Sequence, residues 1–192
     1  MRQNDVLDVS GHLTIVKVFK DGTEEVVYDD HNVITSGMGV GLSLLFAGQG
    51  SSVEDYQIRY FQVGSGALAA EPDYTKYKLE APLETASLYG GAVTSSHKRM
   101  EPDGTASTDA ELFAYIPDNI IKKSSPTSVT YFLYLTEEAQ IPESIDEIGL
   151  FMNNPTATLV SDKRSPLVAY RKFTEIEKTN SFSLVFKWKL SF

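Results

Sequence analysis

Apolar residues fall on alternate positions in several stretches of this chain, and the longest such run closes it. In Phe182 to Phe192, FSLVFKWKLSF, every second residue is large and apolar (Phe182, Leu184, Phe186, Trp188, Leu190, Phe192), and Ser183, Val185, Lys187, Lys189 and Ser191 fill the gaps. Successive side chains of a strand point to opposite faces, so the pattern predicts a half-buried β-strand with an aromatic face toward the core and a lysine-bearing face away from it. At about 3.3 Å per residue such a strand reaches roughly 36 Å, long enough to be a central layer of the core.

The same reading predicts a hairpin near the start. Leu13 to Phe19 (LTIVKVF) and Glu24 to Tyr28 (EEVVY) flank Lys20-Asp21-Gly22-Thr23, and Asp-Gly accepts the backbone of a tight turn. Further strands are expected at 56–63, 111–116, 128–136, 145–152 and 166–173, with weaker ones within 88–99 around Gly90-Gly91, where the glycines suggest a bulge, and at 156–160. The stretches 128–136 (SVTYFLYLT) and 145–152 (IDEIGLFM) carry apolar groups on both faces, as strands between two layers do. Only a short loop, 175–180, divides 166–173 from the closing strand, which predicts that the last two strands pair antiparallel. Residues 1–11 read as a polar arm, 49–55 as a linker, and 67–84 as either a helical turn or an extended crossing segment.

One helix is expected, from Ser36 to Ala47. Met38, Leu42, Leu45 and Phe46 form an apolar stripe at helical spacing, Thr35 or Ser36 can cap its start, and Gly48 can stop it. Gly37, Gly39 and Gly41 each cost a helix roughly 1 kcal/mol, which predicts close packing of the helix backbone on a sheet. GMGVG lacks both the Lys-Ser/Thr of a phosphate-binding loop and the spacing of a dinucleotide fingerprint. About nine or ten short strands with one helix define a mainly β chain. The expected fold is an antiparallel β-sandwich, or a partly open barrel, with the helix packed on it, formed as one domain over 1–192 with 67–144 as a loop-rich, variable insertion.

Composition narrows function mostly by exclusion. The chain has 192 residues, a hydrophobic content of 42% and a net charge of −9, with 10 Tyr and 10 Phe. No basic run marks a nucleic-acid surface, and Lys122-Lys123 and Lys163-Arg164 read as solvated loop charges. Cysteine is absent, which removes disulfides, thiolate nucleophiles and thiolate metal ligands. MRQNDVLDVSG has no apolar signal core, and Val33 to Ala47 is too short and glycine-rich to span a bilayer.

Candidate chemistry is sparse. Asp29-Asp30-His31 is the one cluster of metal-ligand types; calcium or zinc there would make a small metal- or ligand-binding sandwich, against a polar strand end as the plain alternative. Asp29, Asp30, Glu24 and Glu25 contain a conceivable carboxylate pair for glycoside hydrolysis. Tyr74, Tyr77 and Tyr89 offer rings that stack on sugar or pack at a protein interface. Glu147 shares a strand face with Ile145 and Phe151, and either stays hydrated or needs a partner such as Arg171, Lys178 or backbone donors. His12, His31 and His97 adjoin no nucleophile, and no GxSxG elbow occurs. No catalytic residue, cofactor site or metal ligand is assigned.

Several segments, taken in order, carry a resemblance: His31-Asn32-Val33-Ile34, the helix SGMGVGLSLLFAG, YFQVGSG, IDEIGLF, and AYRKF followed by EKTNSFSLVFKWKLSF. In this order they resemble a group of tailed-bacteriophage virion proteins, over about 13–66 and 145–192. The resemblance implies a non-enzymatic structural component of the tail, baseplate, neck or fibre-attachment region. It implies no cofactor, and assembly with other virion proteins and with copies of itself, without direct contact to nucleic acid or membrane. A host-glycan receptor-binding module and a capsid decoration protein are the alternatives within the virion.

Overall fold

The closing alternation forms strand β11 (Phe182–Ser191) at the centre of the first of two sheets in the computed structural model, which describes residues 9–49, 52–66, 73–139, 141, 144–155 and 163–192. Leu184, Phe186, Trp188 and Leu190 are fully buried. Phe192, expected as the sixth core residue, lies past the strand end and is exposed. On one side β11 pairs with β1 (Ser10–Phe19), which turns through Asp21-Gly22 into β2 (Glu24–Ile34), as the hairpin pattern predicts. On the other side it pairs with β7 (Ser128–Leu135), followed at the edge by β6 (Ile121–Ser125).

The second sheet continues from β2. Glu24 to Asn32 pair with β1, but Val33 and Ile34 pair with β10 (Leu167–Glu177), so one strand serves both sheets. Beyond β10 come β8 (Ser144–Met152), β3 (Ile58–Gly64), β5 (Ala106–Tyr115), β4 (Thr94–Met100) and the two-residue β9 (Arg164–Ser165). Every pairing is antiparallel except β4 with β9. The chain is thus a mainly β sandwich with one short α-helix on it. Its core joins Leu13, Ile15, Leu133, Phe186 and Trp188 of the first sheet to Phe61, Val63, Ile148, Leu150 and Val168 of the second. Residues 94–135, inside the stretch expected as a variable insertion, supply β4 to β7.

Helix α1 (Ser36–Phe46) lies against β10. A Cβ on Gly37 would overlap the Leu167 carbonyl oxygen, and one on Gly41 would overlap the end of Met152. The glycines therefore do let the backbone approach the sheet. The stripe reading is corrected: Met38 and Gly41 are buried, Leu42 is half-buried, and Leu45 and Phe46 point outward. Close backbone approach rotates the glycine face toward the sheet and leaves the C-terminal apolar residues outside. Thr35 occupies the N-cap position but makes no side-chain cap; its hydroxyl donates to the Leu167 carbonyl instead.

Other expectations also change. The last two strands do not pair, because β10 and β11 belong to different sheets. Lys178 to Ser181 form an arch across the core. Four residues reach roughly 13 Å, enough for the ~10 Å between packed sheets. Buried Lys178 ties down the arch by donating to the carbonyls of Ala139 (3.3 Å) and Thr179 (2.5 Å). The weak strand expected within 88–99 is β4, which starts only at Thr94; around Gly90-Gly91 there is no strand bulge but a 3-10 turn, Ala86–Tyr89, ended by Gly90 at φ 61°. β7 is buried on one face only, with Tyr134 exposed on the other. β6 was not expected, since IKKSS shows no alternation. Residues 73–83 cross the second sheet as an extended strap, with Pro82 bridging to Gly64. The expected strand at 156–160 and most of the N-terminal arm lie outside the described residues.

Candidate interaction surface

The two sheets differ in what covers their outer faces. Outside the second sheet, Tyr60, Phe113, Phe151, Leu167 and Tyr170 form a second apolar cluster, closed by Leu79 of the strap. Glu147 fastens that strap and is fully buried. Its carboxylate accepts from the amides of Glu80 (2.9 and 3.1 Å) and Ala81 (2.9 Å) and from the Tyr170 hydroxyl (2.7 Å). Burial and the adjacent carboxylate push the Tyr170 phenol well above its usual value, so it remains a donor. Backbone donors and a tyrosine thus satisfy Glu147. Arg171 instead pairs with Asp30 at 2.7 Å, and Lys178 belongs to the arch.

At the far edge of the same face lies a polar cluster that the sequence did not reveal. The Lys163 ammonium donates to the Tyr60 hydroxyl and lies 4.0 Å from that ring's centroid. His97 stacks on Phe113 at 4.1 Å, and its Nε2 lies 2.7 Å from the Ser165 hydroxyl. Ser165 is fully buried and donates its own proton to the Asn153 carbonyl at 2.7 Å. His97 must therefore donate to Ser165, the reverse of a base activating a nucleophile. Burial and the Lys163 charge lower the His97 pKa to about 3, and burial lowers that of Lys163 to about 8. These residues come from β3, β4, β9 and the residue before β9, so no local spacing announces them. Lys163, expected as a loop charge, is 8% exposed.

The sequence candidates disperse. Asp29 and Asp30 point to opposite faces of β2. Asp29 accepts from Thr14 (2.6 Å) and bonds the His12 ring (2.9 Å), and these bonds hold it below the ordinary carboxylate range. His31 packs edge-on to His12 at 5.3 Å. Among the described residues no group of three or more His, Asp or Glu side chains is placed to hold a metal ion. Glu24 and Glu25 likewise alternate across the strand. Tyr89 is fully buried, donating to the Leu83 carbonyl at 3.3 Å. Tyr77 is half-buried with the Arg99 guanidinium 4.9 Å from its ring centroid, and Tyr74 is exposed.

No described segment crosses the first sheet's outer face as the strap crosses the second. Lys189, Lys187, Val185 and Ser183 of β11 lie there beside His12, Thr14, Val16 and Val18 of β1, with Thr130, Phe132 and Tyr134 of β7 on the other flank. Val18, Phe132, Tyr134, Val185, Lys187 and Glu24 line a shallow depression of about 380 Å³. Lys187 and Glu24 stand 4.0 Å apart over it, both well exposed, and Lys122 of β6 lies over the Phe132 ring. Val26 is 61% exposed and Tyr134 41%. An apolar strip within a charged border can be covered by another protein surface without stranding a charge. Among the described residues no helix is long and apolar enough to cross a membrane. No family model, curated protein or solved structure matches the chain.

Proposed function

We propose that this chain is a non-enzymatic structural component of a tailed-bacteriophage virion, placed in the tail, baseplate or neck and built into a symmetric assembly by protein–protein contacts, including contacts with its own copies. The ordered motifs from the β1–β2 hairpin to the closing lysine-bearing strand motivate the virion setting. The observation that carries the interface role is the outer face of the first sheet, where exposed Val26 and Tyr134 and half-buried Phe132 stand among Lys187, Lys189, Lys122 and Glu24. The face suits a neighbouring protein, and its chemistry is that of an interface with an apolar centre and a charged rim.

The test is the location and copy number of the protein in purified particles, by mass spectrometry and image reconstruction. A symmetric set of copies with the first sheet's outer face against a neighbour supports the reading. A protein absent from particles and free in infected cells overturns it. A position on the capsid surface would favour the decoration role instead.

A further inference from the structure

Among the described residues, the first sheet ends in two unpaired edges of opposite charge. Its strands run β6-β7-β11-β1-β2, and no described strand pairs with the far side of β6 or with the stretch of β2 from Glu24 to Val27. Farther along β2, Arg171 of β10 holds the Tyr28 hydroxyl and Asp30, and Val33 and Ile34 pair with β10. The β6 edge carries Lys122 and Lys123, and the β2 edge carries Glu24 and Glu25, all exposed. Their faces match. Lys122 stands opposite Thr130 on the outer face, over the Phe132 ring, and Lys123 stands opposite Val129 on the core side. Glu24 stands opposite Val18 on the outer face, and Glu25 opposite Lys17 on the core side. Among the described residues neither glutamate has a close ion-pair partner: Lys187 is 4.0 Å from Glu24, and the Lys17 ammonium lies over the Phe182 ring instead.

We infer that β6 of one copy of this chain adds to β2 of the next and continues the first sheet from subunit to subunit, with Lys122 beside Glu24 and Lys123 beside Glu25. Direction is the first argument. Four antiparallel pairings separate β6 from β2, so the two strands run the same way. A neighbour turned about an axis along the strands keeps that direction and keeps its outer face outward. The junction is therefore parallel. In parallel order the Lys-Lys pair of β6 meets the Glu-Glu pair of β2 residue by residue, outer face with outer face and core side with core side. Charge is the second argument. Opposite charges on facing positions of adjacent strands attract, and like charges repel. Contacts between identical edges would set Glu24 and Glu25 against their own copies, or Lys122 and Lys123 against theirs. Edge lysines thus keep β6 from pairing with another β6 and leave it an acidic edge to join. For a chain of net charge −9, this local match also offsets the repulsion between copies. Because the two edges are different surfaces, the contact is head-to-tail, and it closes into a ring or grows as a filament.

This contact rests on the self-assembly part of the proposed function and is tested apart from the virion. Lys122→Glu with Lys123→Glu makes both edges acidic, and Glu24→Lys with Glu25→Lys makes both basic. By sedimentation at subunit concentrations up to about 1 mM, where weak contacts are populated, the wild-type chain is expected to form oligomers that added salt weakens. Each charge-reversed variant alone should be monomeric, with unchanged circular dichroism. An equimolar mixture should form oligomers again, since every acidic edge then meets a basic one. In hydrogen exchange the outward amides of Ile121 to Ser125 should gain protection in the wild-type oligomer and in neither variant alone. A monomeric wild type, oligomers that persist in either variant, a mixture that stays monomeric, or β6 amides without added protection overturns the inference. Oligomers that pass this test in a protein absent from particles would retain the edge contact and refute the virion reading alone. A symmetric set of copies in particles with these edges apart would refute the edge contact alone.

Discussion

The two sheets solve the same packing problem to different depths. The second is covered on both faces, by the core on one side and by the strap with the Tyr60–Phe113–Tyr170 cluster on the other. The first is covered on one face, while on the other Val16 and Val185 are buried among their neighbours and Val26 and Tyr134 stand exposed. The difference shows in the sequence: β11 alternates except at buried Val185, whereas β8 reads IDEIGLFM and is buried from Ile145 to Met152 except at Asp146. Alternation marks a sheet with one face toward solvent, and continuous apolar runs mark the sheet covered on both faces. A buried polar group is costly where nothing can move to hydrate it, so the second sheet should be the more sensitive to polar substitutions.

The sharpest break is Glu147→Ala. It strands the amides of Glu80 and Ala81 and the Tyr170 hydroxyl, at about 1–3 kcal/mol for each group left unpaired, so a loss of at least about 3 kcal/mol is expected in urea unfolding. Hydrogen exchange should show the Glu80 and Ala81 amides losing protection first. An unchanged unfolding midpoint would mean that the strap is not held by this carboxylate.

The next test uses pH. His97 titrates at about 3 in the folded chain and at its ordinary 6.5 when unfolded. As pH falls from 6.5 toward 3, the unfolded state takes up this proton first, and stability is lost by up to about 1.4 kcal/mol per pH unit. Above 6.5 both states are neutral and the group contributes no slope. His97→Phe keeps the stack on Phe113 and removes that titration. Its stability relative to wild type should therefore rise between pH 7 and pH 4 in denaturant series; a difference independent of pH would refute the assignment.

The helix offers a smaller, paired comparison on the closed sheet. Gly37→Ala places a methyl group on the backbone oxygen of Leu167, which cannot swing aside, and should cost about 1–3 kcal/mol. A Cβ on Gly39 meets nothing within 4 Å, so Gly39→Ala should gain up to about 1 kcal/mol from helix propensity. Equal effects on the melting temperature would show that the helix does not approach the sheet by its glycine face.

What the sequence revealed depended on how local the signal was. The β1–β2 hairpin, the helix and the aromatic face of β11 rest on spacings within a dozen residues, and each is found in place. The antiparallel pairing of β10 with β11 was inferred from a short connection, but loop length alone does not separate a hairpin from an arch between sheets. Here the buried Lys178 makes the arch. β6 is an edge strand with one partner and little to bury, so its pattern is weak. The His97–Ser165–Lys163–Tyr60 cluster joins side chains as far apart as 60 and 165, and only the folded topology assembles it. Phe46 shows the opposite failure: its spacing was helical and apolar, but the glycine contacts fix which side of α1 meets the sheet.

The smallest expected effect on stability lies on the open face, and there it becomes a test of function. Lys187→Glu with Lys189→Glu reverses two charges on the polar side of β11, whose only ion pair across this face among the described residues is the loose, exposed one between Lys187 and Glu24. Exposed pairs of this kind contribute about 0–1 kcal/mol, so the unfolding midpoint should move little. On the closed sheet a comparable reversal would bury a charge. If the open face meets a neighbouring virion protein, the double variant should fold, melt as the wild type does and fail to enter particles in a complementation assay. Normal incorporation would reduce the lysine face to solvated scaffold.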